Sequence, residues 1–567
     1  MKLTWLDRLG DWNPQLFREI KGRLTPRNLA IAVAISLVGQ LLVLMSLAGQ
    51  LPANDAIGEV RRKYCTGIKP EPYYQPLCVR DALGAFEINW QLWSLDVFLV
   101  LSLIGIFGIL VVGTHMLISD LSREEHRGTL NFIRLSPQSS SNILTGKLLG
   151  VPILLYVAVA LALPLHLLLG LAANISLSLI LSFYAVLGAS CLFFYSLSLL
   201  YGLVSSGIGG FQAFLGSGSV LMFLLVTTEF TYNTPVDWLK LFNPSMALPY
   251  LFGSSPLTSS ISPLWFIEKL KLSGFFYLPV GASAWSAIGF MLLNYALWNY
   301  WAWQGLKRCF HNPNATIFSK RQSYLLTACF EVMILGFASQ PVQGDYYSRS
   351  HSSNLGYLLI FNLLLFVFLI AALSPHRQVL QDWARYRHQK QSSRKWGVVR
   401  DLIWGEKSPA PLAVAMNLAI AATILTPWVL LGFENDLKIP ALLGLLLSAN
   451  LILIYACVAQ LMLFMKTQKR ALWAASTVAG LIILPPIILG FLSIEPHNFP
   501  ALWLFSAFAS LAVKDASITA IFMAVVGESL TLTLLGLQLT RQLRQAGESA
   551  SKALFANRPS LPNSINS

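Results

Sequence analysis

The chain has 567 residues, of which 55% are hydrophobic and only 12% are charged, and its mean hydropathy is +0.60. One water-soluble core cannot bury that much apolar surface, so the composition excludes an ordinary soluble protein and indicates an integral membrane protein. The formal net charge of +14 is then expected to orient helices against anionic lipid, and no nucleic-acid partner is predicted from it.

The amino-terminal segment, residues 1–28, contains a predicted amphipathic helix. Asn13 is a suitable helix cap, and Pro14 favours the first helical position. Apolar and charged residues then separate onto different faces: Leu16, Phe17, Ile20 and Leu24 on one, and Arg18, Glu19 and Lys21 elsewhere. This pattern predicts an interfacial helix on the inner membrane surface, where its simplest role is to anchor the chain.

Apolar runs of about 20 residues recur along the chain, and each can cross about 30 Å of hydrocarbon as a helix. We predict twelve crossings, at residues 29–51, 93–118, 148–171, 177–204, 211–229, 281–303, 324–340, 354–373, 411–432, 440–465, 471–492 and 517–540. The expected fold is an all-α polytopic membrane protein with two six-helix bundles, residues 29–322 and 323–545, and a flexible tail, residues 546–567.

An even number of crossings places both termini on one side of the membrane. With the termini inside, most of the 40 Lys and Arg residues fall in inner segments, as the positive-inside rule requires. The predicted location is therefore the plasma (inner) membrane, with both termini cytoplasmic.

The long loop at residues 52–92 is predicted to lie outside and contains two of the six cysteines, Cys65 and Cys78. Thiols on that side can oxidise, so these two either form a disulfide or are separate buried thiols. No two cysteines have the close CxxC spacing typical of zinc ligands, and no metal site is expected.

The same loop contains several acidic residues, namely Asp55, Glu59, Glu71, Asp81 and Glu87. Multi-spanning glycosyltransferases place catalytic acids in such a loop, which makes a membrane enzyme one alternative. The acids are interleaved with basic residues and form no close pair, which favours a solvated loop. No nucleophile elbow or HExxH motif is present, and no catalytic residue is predicted.

The inner loop at residues 119–147 is the most informative segment. It contains an acidic pair, Glu124 and Glu125, followed by Arg127-Gly128-Thr129-Leu130, then Ser136-Pro137, and ends at Gly146-Lys147 before an apolar run. This pattern resembles the cytoplasmic coupling segment of type-2 ABC exporter permeases. Members of that family also have an amphipathic connecting helix before the first crossing. One departure is Asn131, where many members have an acidic residue.

The resemblance implies a role for each residue of this loop. Glu125 and Arg127 would form ion pairs with a partner, with Glu124 beside them, and Gly128 would permit close backbone approach. Thr129 and Leu130 would begin a short helix that presses on an ATPase, and Pro137 would end it. Lys147 completes the family pattern at the start of the next crossing.

The chain contains no GxxxxGK[ST] phosphate loop, so it is not expected to bind ATP. The resemblance implies that ATP and Mg are bound by a separate cytoplasmic ABC ATPase subunit, working as a dimer. The predicted function is the permease subunit of an exporter that moves an amphiphilic or polymeric substrate by alternating access.

A second inner loop, residues 375–410, ends in Glu406-Lys407-Ser408-Pro409 shortly before a crossing. Its Ser-Pro pair occupies the position that Ser136-Pro137 has in the first half. The loop is therefore either a second docking segment or a solvated basic loop that only orients the helices.

Two acidic residues fall deep within predicted crossings, Glu331 in the seventh and Glu528 in the twelfth. Charged groups are costly inside a bilayer, so such residues usually have a function or a polar partner. They suggest either an ion-coupled secondary transporter or polar contacts between helices and around a substrate cavity. His166 is a further titratable residue, in the third crossing.

Overall fold

The computed structural model of the chain describes residues 10–52, 60–67, 75–205, 210–229, 234–251, 274–339, 347–389 and 395–547. Most of these residues lie in helices, and the described part of the chain contains isolated β-bridges but no β-strand. A helix satisfies its own backbone hydrogen bonds, which a membrane interior requires of a spanning segment. The predicted all-α fold class is confirmed.

The chain divides into two compact units, residues 1–313 and residues 314–567. The division lies close to the boundary that the sequence predicts at residues 322 and 323.

The helices of unit 1 are α1 (Pro14–Arg23), α2 (Pro26–Ala48), α3 (Trp90–Phe107), α4 (Gly113–His126), α5 (Thr129–Arg134), α6 (Ser140–Gly150), α7 (Ile153–Ala172), α8 (Leu177–Val204), α9 (Gln212–Glu229) and α10 (Ala284–His311). The short helical turns Asp237–Lys240, Pro244–Ala247 and Leu248–Leu251 lie between α9 and α10.

The helices of unit 2 are α11 (Lys320–Ala338), α12 (Tyr347–Leu373), α13 (Arg377–Gln389), α14 (Lys395–Trp404), α15 (Pro411–Gly432), α16 (Asn435–Leu463), α17 (Arg470–Phe491) and α18 (Ile518–Gly547). Between α17 and α18 the turns Pro500–Trp503 and Ala509–Leu511 pack with α16 and α18 around Leu447.

Nine helices in the described residues are long and apolar enough to cross a membrane: α2, the continuous segment Trp90–His126 that joins α3 to α4, α7, α8, α12, α15, α16, α17 and α18. The chain is therefore a multi-pass membrane protein. The other three predicted crossings coincide with α9, α10 and α11, which are helical but shorter or less apolar. The number twelve stays a prediction.

A π-helical turn, Gly108–Val112, joins α3 to α4 within one long helix. The hydroxyl of Tyr195 on α8 donates to the carbonyl of Ile109 at 2.6 Å. A Cβ at Gly113 would lie 2.1 Å from the Tyr195 hydroxyl, so only glycine admits this side chain. The widened turn is thus stabilised by a side chain from a neighbouring helix.

The loop before α3 is bonded to that helix through Asp96. Cys65 and Cys78 form a disulfide in the structure, with Cα atoms 4.7 Å apart. The Tyr64 hydroxyl donates to the Asp96 carboxylate at 2.9 Å, and Lys63 forms an ion pair with the same group.

Of the loop acids considered for catalysis, three lie outside the described residues, namely Asp55, Glu59 and Glu71. Asp81 accepts hydrogen bonds from the backbone of its own turn, at Leu83 and Ala85, and Glu87 accepts one from Thr66. These bonds give Asp81 and Glu87 local structural roles.

Candidate functional site: a buried charge cluster and an exposed short helix

The predicted inner loop at residues 119–147 is largely helical. Helix α4 continues to His126, and Gly128 then adopts a left-handed conformation with φ +68°, which glycine tolerates best. Helix α5 begins at Thr129, whose hydroxyl donates to the carbonyl of Glu124 at 3.1 Å, and Pro137 lies in the turn after α5. A short helix therefore stands where the resemblance placed one.

Helix α5 has an inner and an outer apolar side. Leu130 and Ile133 are buried, whereas Phe132 is 80% exposed and Leu135 is 85% exposed. Arg127, just before α5, is also exposed. Phe132 on α5 and Leu135 directly after it thus place two large exposed apolar side chains near a positive charge.

Lys147, on α6, is completely buried. Its ammonium nitrogen lies 2.7 Å from a Glu124 carboxylate oxygen, 2.8 Å from Asp120 and 3.5 Å from Glu19. The predicted coupling residues Glu124 and Lys147 are therefore paired with each other. Since Lys147 has no exposed surface, a partner protein cannot touch it, and its role is to hold α4 and α6 together.

Two arginines of α1 complete this group of charges. Arg18 forms ion pairs with Glu124 and Glu19, and Arg23 forms ion pairs with Asp120 and Glu19. We call these six residues the Lys147 cluster: Arg18, Glu19, Arg23, Asp120, Glu124 and Lys147. Three cations balance three carboxylates, and the cluster joins α1, α4 and α6.

The surroundings of Lys147 favour its charged form. Burial by itself lowers the pKa of a lysine, but the attraction of Asp120, Glu124 and Glu19 outweighs burial, so the pKa of Lys147 is raised above its usual value. Oxygen atoms of those three carboxylates lie within 4.8 Å of one another, a spacing that a metal ion could bridge. In this structure the Lys147 ammonium contacts all three carboxylates.

Helix α1 fits against α6 because α6 presents two glycines. A Cβ at Gly146 would lie 2.8 Å from the backbone nitrogen of Leu16, and one at Gly150 would lie 2.5 Å from the Cβ of Glu19. The Asn13 side chain also donates to the Asn142 carbonyl at 2.8 Å.

The buried face of α1 differs from the predicted apolar face. It includes Gln15 and Glu19 besides Leu16 and Ile20, while Phe17 is only partly buried. The amphipathic helix predicted to anchor the chain is thus also packed against protein through a partly polar face.

Glu125 and Arg127, the two charges predicted to pair with a partner, differ in exposure. Arg127 is exposed, whereas Glu125 is partly buried and interacts electrostatically with Arg134 on α5. One oxygen of Glu125 is buried and has no hydrogen bond to any described residue. Of the two, Arg127 is the one placed to meet another molecule.

The second predicted docking segment, in unit 2, is partly buried. Glu406 and Lys407 are exposed, but Ser408 and Pro409 are buried. Ser408 and Pro409 are therefore not accessible in this structure, and of the four residues only Glu406 and Lys407 could meet a partner. The docking role of this segment stays a prediction.

Lys320 explains why Ser408 and Pro409 lie inside. Its ammonium nitrogen donates to the Leu402 carbonyl at 2.6 Å, the Ser408 hydroxyl at 2.6 Å and the Pro409 carbonyl at 3.1 Å. Lys320 begins α11, before the predicted crossing at 324–340. Burial lowers its pKa to about 8, although Asp401 partly opposes that effect.

A buried polar stripe runs along α11 from Lys320 to Glu331. Ser323 and Thr327 lie on it, and both are hydrogen-bonded to Asn417 of α15, at 3.0 and 2.8 Å. At the end of the stripe, Glu331 accepts from Asn362 at 3.3 Å.

Glu331 and Glu528 pack against different helices. Glu331 pairs with Asn362 on α12, whereas Glu528 lies on α18, which packs against α16. Both carboxylates are buried, and within the described residues no hydrogen bond links one to the other. The structure gives them separate surroundings.

Several residues of these sites were not singled out from the sequence: Arg18, Glu19, Arg23, Asp120 and Lys320. A signal was present for some of them, because Asp120 and Glu124 are four residues apart on one helix and so share a face. Glu19 and Arg23 have the same spacing. What the sequence lacked was any sign that α1 would pack against α6.

No family model matches this chain, and neither a curated protein nor a solved structure proves similar to it. The residues and their geometry therefore carry the functional argument.

Proposed function

We propose that this chain is the membrane-spanning permease subunit of an ATP-driven ABC exporter, with ATP hydrolysed by a separate cytoplasmic subunit. The observation that carries the proposal is helix α5: an exposed short helix whose neighbours are tied together by the Lys147 cluster. The pattern at residues 124–130 and 137, which resembles type-2 exporters, supports it.

The proposed mechanism starts at the outward side of α5. Phe132 and Leu135 insert into an apolar pocket of the ATPase, and Arg127 pairs with an acidic residue at its rim. Apolar burial supplies the affinity, while the charge fixes the orientation of the two proteins.

Movement of α5 then reaches the spanning helices. The segment that ends in α4 is continuous from Trp90 to His126, and α6 leads directly into α7. Because the Lys147 cluster joins α4 to α6 and α1, the ATPase moves these helices as a group. Packed helices adopt a few discrete arrangements. A small movement of the ATPase can therefore favour the arrangement in which the substrate path is open to the outer side of the membrane.

Recovery of an ATP-hydrolysing partner tests the proposal. The chain would be purified in mild detergent from its own membranes, as wild type and as the double variant Phe132→Ser, Leu135→Ser. We expect an ATPase dimer with the wild type and at least about tenfold less with the variant, since two buried apolar anchors are lost. The melting temperature should not change, because both side chains are exposed.

Leu83→Ser provides the matched control. Leu83 is also a highly exposed leucine, but it lies in the loop before α3. This variant should retain the ATPase. Absence of an ATPase from the wild type, or equal recovery with the double variant, would contradict the proposal.

A second candidate function, an ion-coupled secondary transporter, is favoured by one observation. Glu331 is fully buried, and in the part of the chain that the structure describes one of its carboxylate oxygens has no hydrogen-bond partner. A carrier would move substrate in vesicles under an ion gradient without any ATPase, and Glu331→Gln would abolish that transport. An exporter permease should show no gradient-driven transport in the absence of ATP.

A further inference from the structure

A recess in unit 1 lies among α2, α3, α7 and α8. Its volume is about 310 Å³, which falls within the range of small-ligand sites. Most of its lining is aliphatic or aromatic, and the lining residues include none of Asp, Glu, Lys or Arg. An ionic group would have no countercharge there, so the recess suits an uncharged ligand.

Glycines create the space for this cavity. Gly39 of α2 and Gly105 of α3 line it, as does Gly108 at the start of the π-helical turn. Apart from the backbone of the glycine's own helix, no atom of the described residues lies within 4 Å of the position that a Cβ would take on any of the three. Glycine is costly within a helix, and π-helical turns occur often at functional sites. These backbone features therefore point to room for a bound molecule.

The cavity is partly lined by side chains that are exposed on spanning helices. Ile35 on α2 and Ile104 on α3 line it and are 66% and 55% exposed. Both helices are long and apolar enough to cross the membrane. A large apolar side chain that is exposed on a spanning helix faces acyl chains, so the ligand can enter sideways from the bilayer.

A chain of three polar side chains lies on the cavity wall. His166 Nε2 is 2.8 Å from the Ser102 hydroxyl, and His166 Nδ1 is 2.8 Å from the Tyr184 hydroxyl. Ser102 also donates to the Phe98 carbonyl at 2.8 Å. Since a hydroxyl has one hydrogen, Ser102 accepts from Nε2–H, and the Tyr184 hydroxyl donates to Nδ1.

This assignment leaves the Tyr184 oxygen with unused lone pairs at the cavity. A second polar group faces the same space from α2, where Gln40 donates to Ser36 at 3.0 Å and Ser36 donates to the Ala158 carbonyl. The side-chain oxygen of Gln40 is a further acceptor, and its amide has one N–H that Ser36 does not use. Because the Tyr184 hydrogen is given to His166, the Tyr184 oxygen can only accept, and it therefore favours a ligand that donates a hydrogen bond.

From these features we infer that the cavity binds a neutral long-chain amphiphile drawn from the bilayer, whose hydroxyl group donates to Tyr184. Its chain occupies the apolar recess beside Gly105 and Gly39. This inference deepens the proposed function, on which it rests for the idea that such an amphiphile is the transported substrate. Occupation of the cavity can be tested independently of transport.

Photocrosslinking in native membranes tests the inference. The probe is a long-chain primary alcohol with a diazirine in its chain, compared with its methyl ether and with the carboxylate of equal length. Labelled peptides are mapped by mass spectrometry. We expect the alcohol to label residues 35–43, 101–109 and 155–187 about fivefold more than the ether, since one hydrogen bond is lost. The carboxylate should label least.

Two variants with matched controls locate the ligand. Gly105→Leu should reduce labelling at least about tenfold by filling the recess, whereas Gly218→Leu should not, because Gly218 also has open space but lies on α9, outside the cavity. Tyr184→Phe should abolish the preference for alcohol over ether and leave ether labelling unchanged. Tyr201→Phe, on the same helix but outside the cavity, should keep that preference.

Three results would overturn the inference: no labelling of these segments, equal labelling by alcohol, ether and carboxylate, or unchanged labelling in Gly105→Leu. Its failure is distinguishable from failure of the proposed function. Recovery of an ATPase without cavity labelling would remove only the inference, whereas selective labelling without an ATPase would leave the binding site and remove the exporter.

Discussion

Each unit buries one lysine beside its predicted inner loop, and the two lysines are surrounded by opposite kinds of groups. Lys147 in unit 1 contacts three carboxylates, which themselves pair with Arg18 and Arg23. Lys320 in unit 2 donates to two backbone carbonyls and one hydroxyl. The pKa of Lys147 is raised, and that of Lys320 is lowered to about 8.

The difference shows two ways of burying a positive charge. Full countercharges more than offset the loss of water around Lys147, whereas dipoles only partly replace water around Lys320. The first arrangement links three helices through charges that each need a partner. The second holds one loop against the start of one helix. We therefore expect the loss of Lys147 to reduce the stability of the protein more than the loss of Lys320 does.

Loss of the Lys147 charge should have the largest effect. Lys147→Met leaves Glu19, Asp120 and Glu124 without the fully buried cation between them, and breaking a buried pair costs about 3–5 kcal/mol. The melting temperature of the purified protein should fall markedly. Lys307→Met, which removes an exposed lysine of α10, should have little effect. Equal melting of these two variants would contradict the structural role of the cluster.

Lys320→Met should have a smaller effect, because it leaves only neutral acceptors without a donor. Unpaired buried acceptors cost about 1–3 kcal/mol. The comparison uses the same melting measurement, with Lys466→Met, at an exposed position of unit 2, as the control. If Lys320→Met destabilised the protein as much as Lys147→Met, the distinction between charges and dipoles would be wrong.

The smallest expected effect is on how stability changes with pH, which should differ between Lys320 and Lys147. The folded-state pKa of Lys320 lies below its usual value, so the unfolded chain binds more protons between about pH 8 and pH 10.5, and stability rises with pH there. From pH 8 to pH 9 the wild type should gain about 1 kcal/mol relative to Lys320→Met. Melting temperatures of both proteins across this range provide the measurement.

Lys147 should behave differently over the same range. Its folded-state pKa is raised, so its contribution is complete below its usual value of 10.5 and is lost only as the pH passes the raised pKa. The difference between wild type and Lys147→Met should stay constant from pH 8 to pH 9. If the stability difference between wild type and Lys147→Met changed with pH as much as that between wild type and Lys320→Met, the proposed contrast between the two lysines would be wrong.

Much of the helical layout could be predicted from the sequence. The run of apolar residues indicates α2, α7 and α15 directly, because an unbroken stretch of that length has one stable form in hydrocarbon. Gly128 and Pro137 similarly indicate a short helix between them, since glycine permits the left-handed turn and proline disfavours helix continuation. Local backbone chemistry was sufficient for these features.

The candidate site was predicted less completely. Glu124 and Lys147 were singled out as parts of one motif, but that they pair with each other, and that α1 supplies Arg18 and Arg23, depends on how the helices pack. The sequence left open whether the loop that contains Ser408 docks on a partner or is only solvated, and it gave no sign that Ser408 is bonded to Lys320, 88 residues away along the chain. Such contacts depend on long-range packing, for which periodicity and spacing give no signal.

By itself the sequence determined that this is a multi-pass helical membrane protein, because hydropathy and backbone hydrogen bonding act within a single segment of chain. Only the tertiary structure decided which charges are buried together, which apolar residues in and directly after α5 remain exposed, and that Ser102, His166 and Tyr184 meet at one cavity wall. Those features depend on contacts between helices that are far apart in the sequence. Close packing permits only some arrangements of these helices, and the residue pattern of a single helix does not specify which.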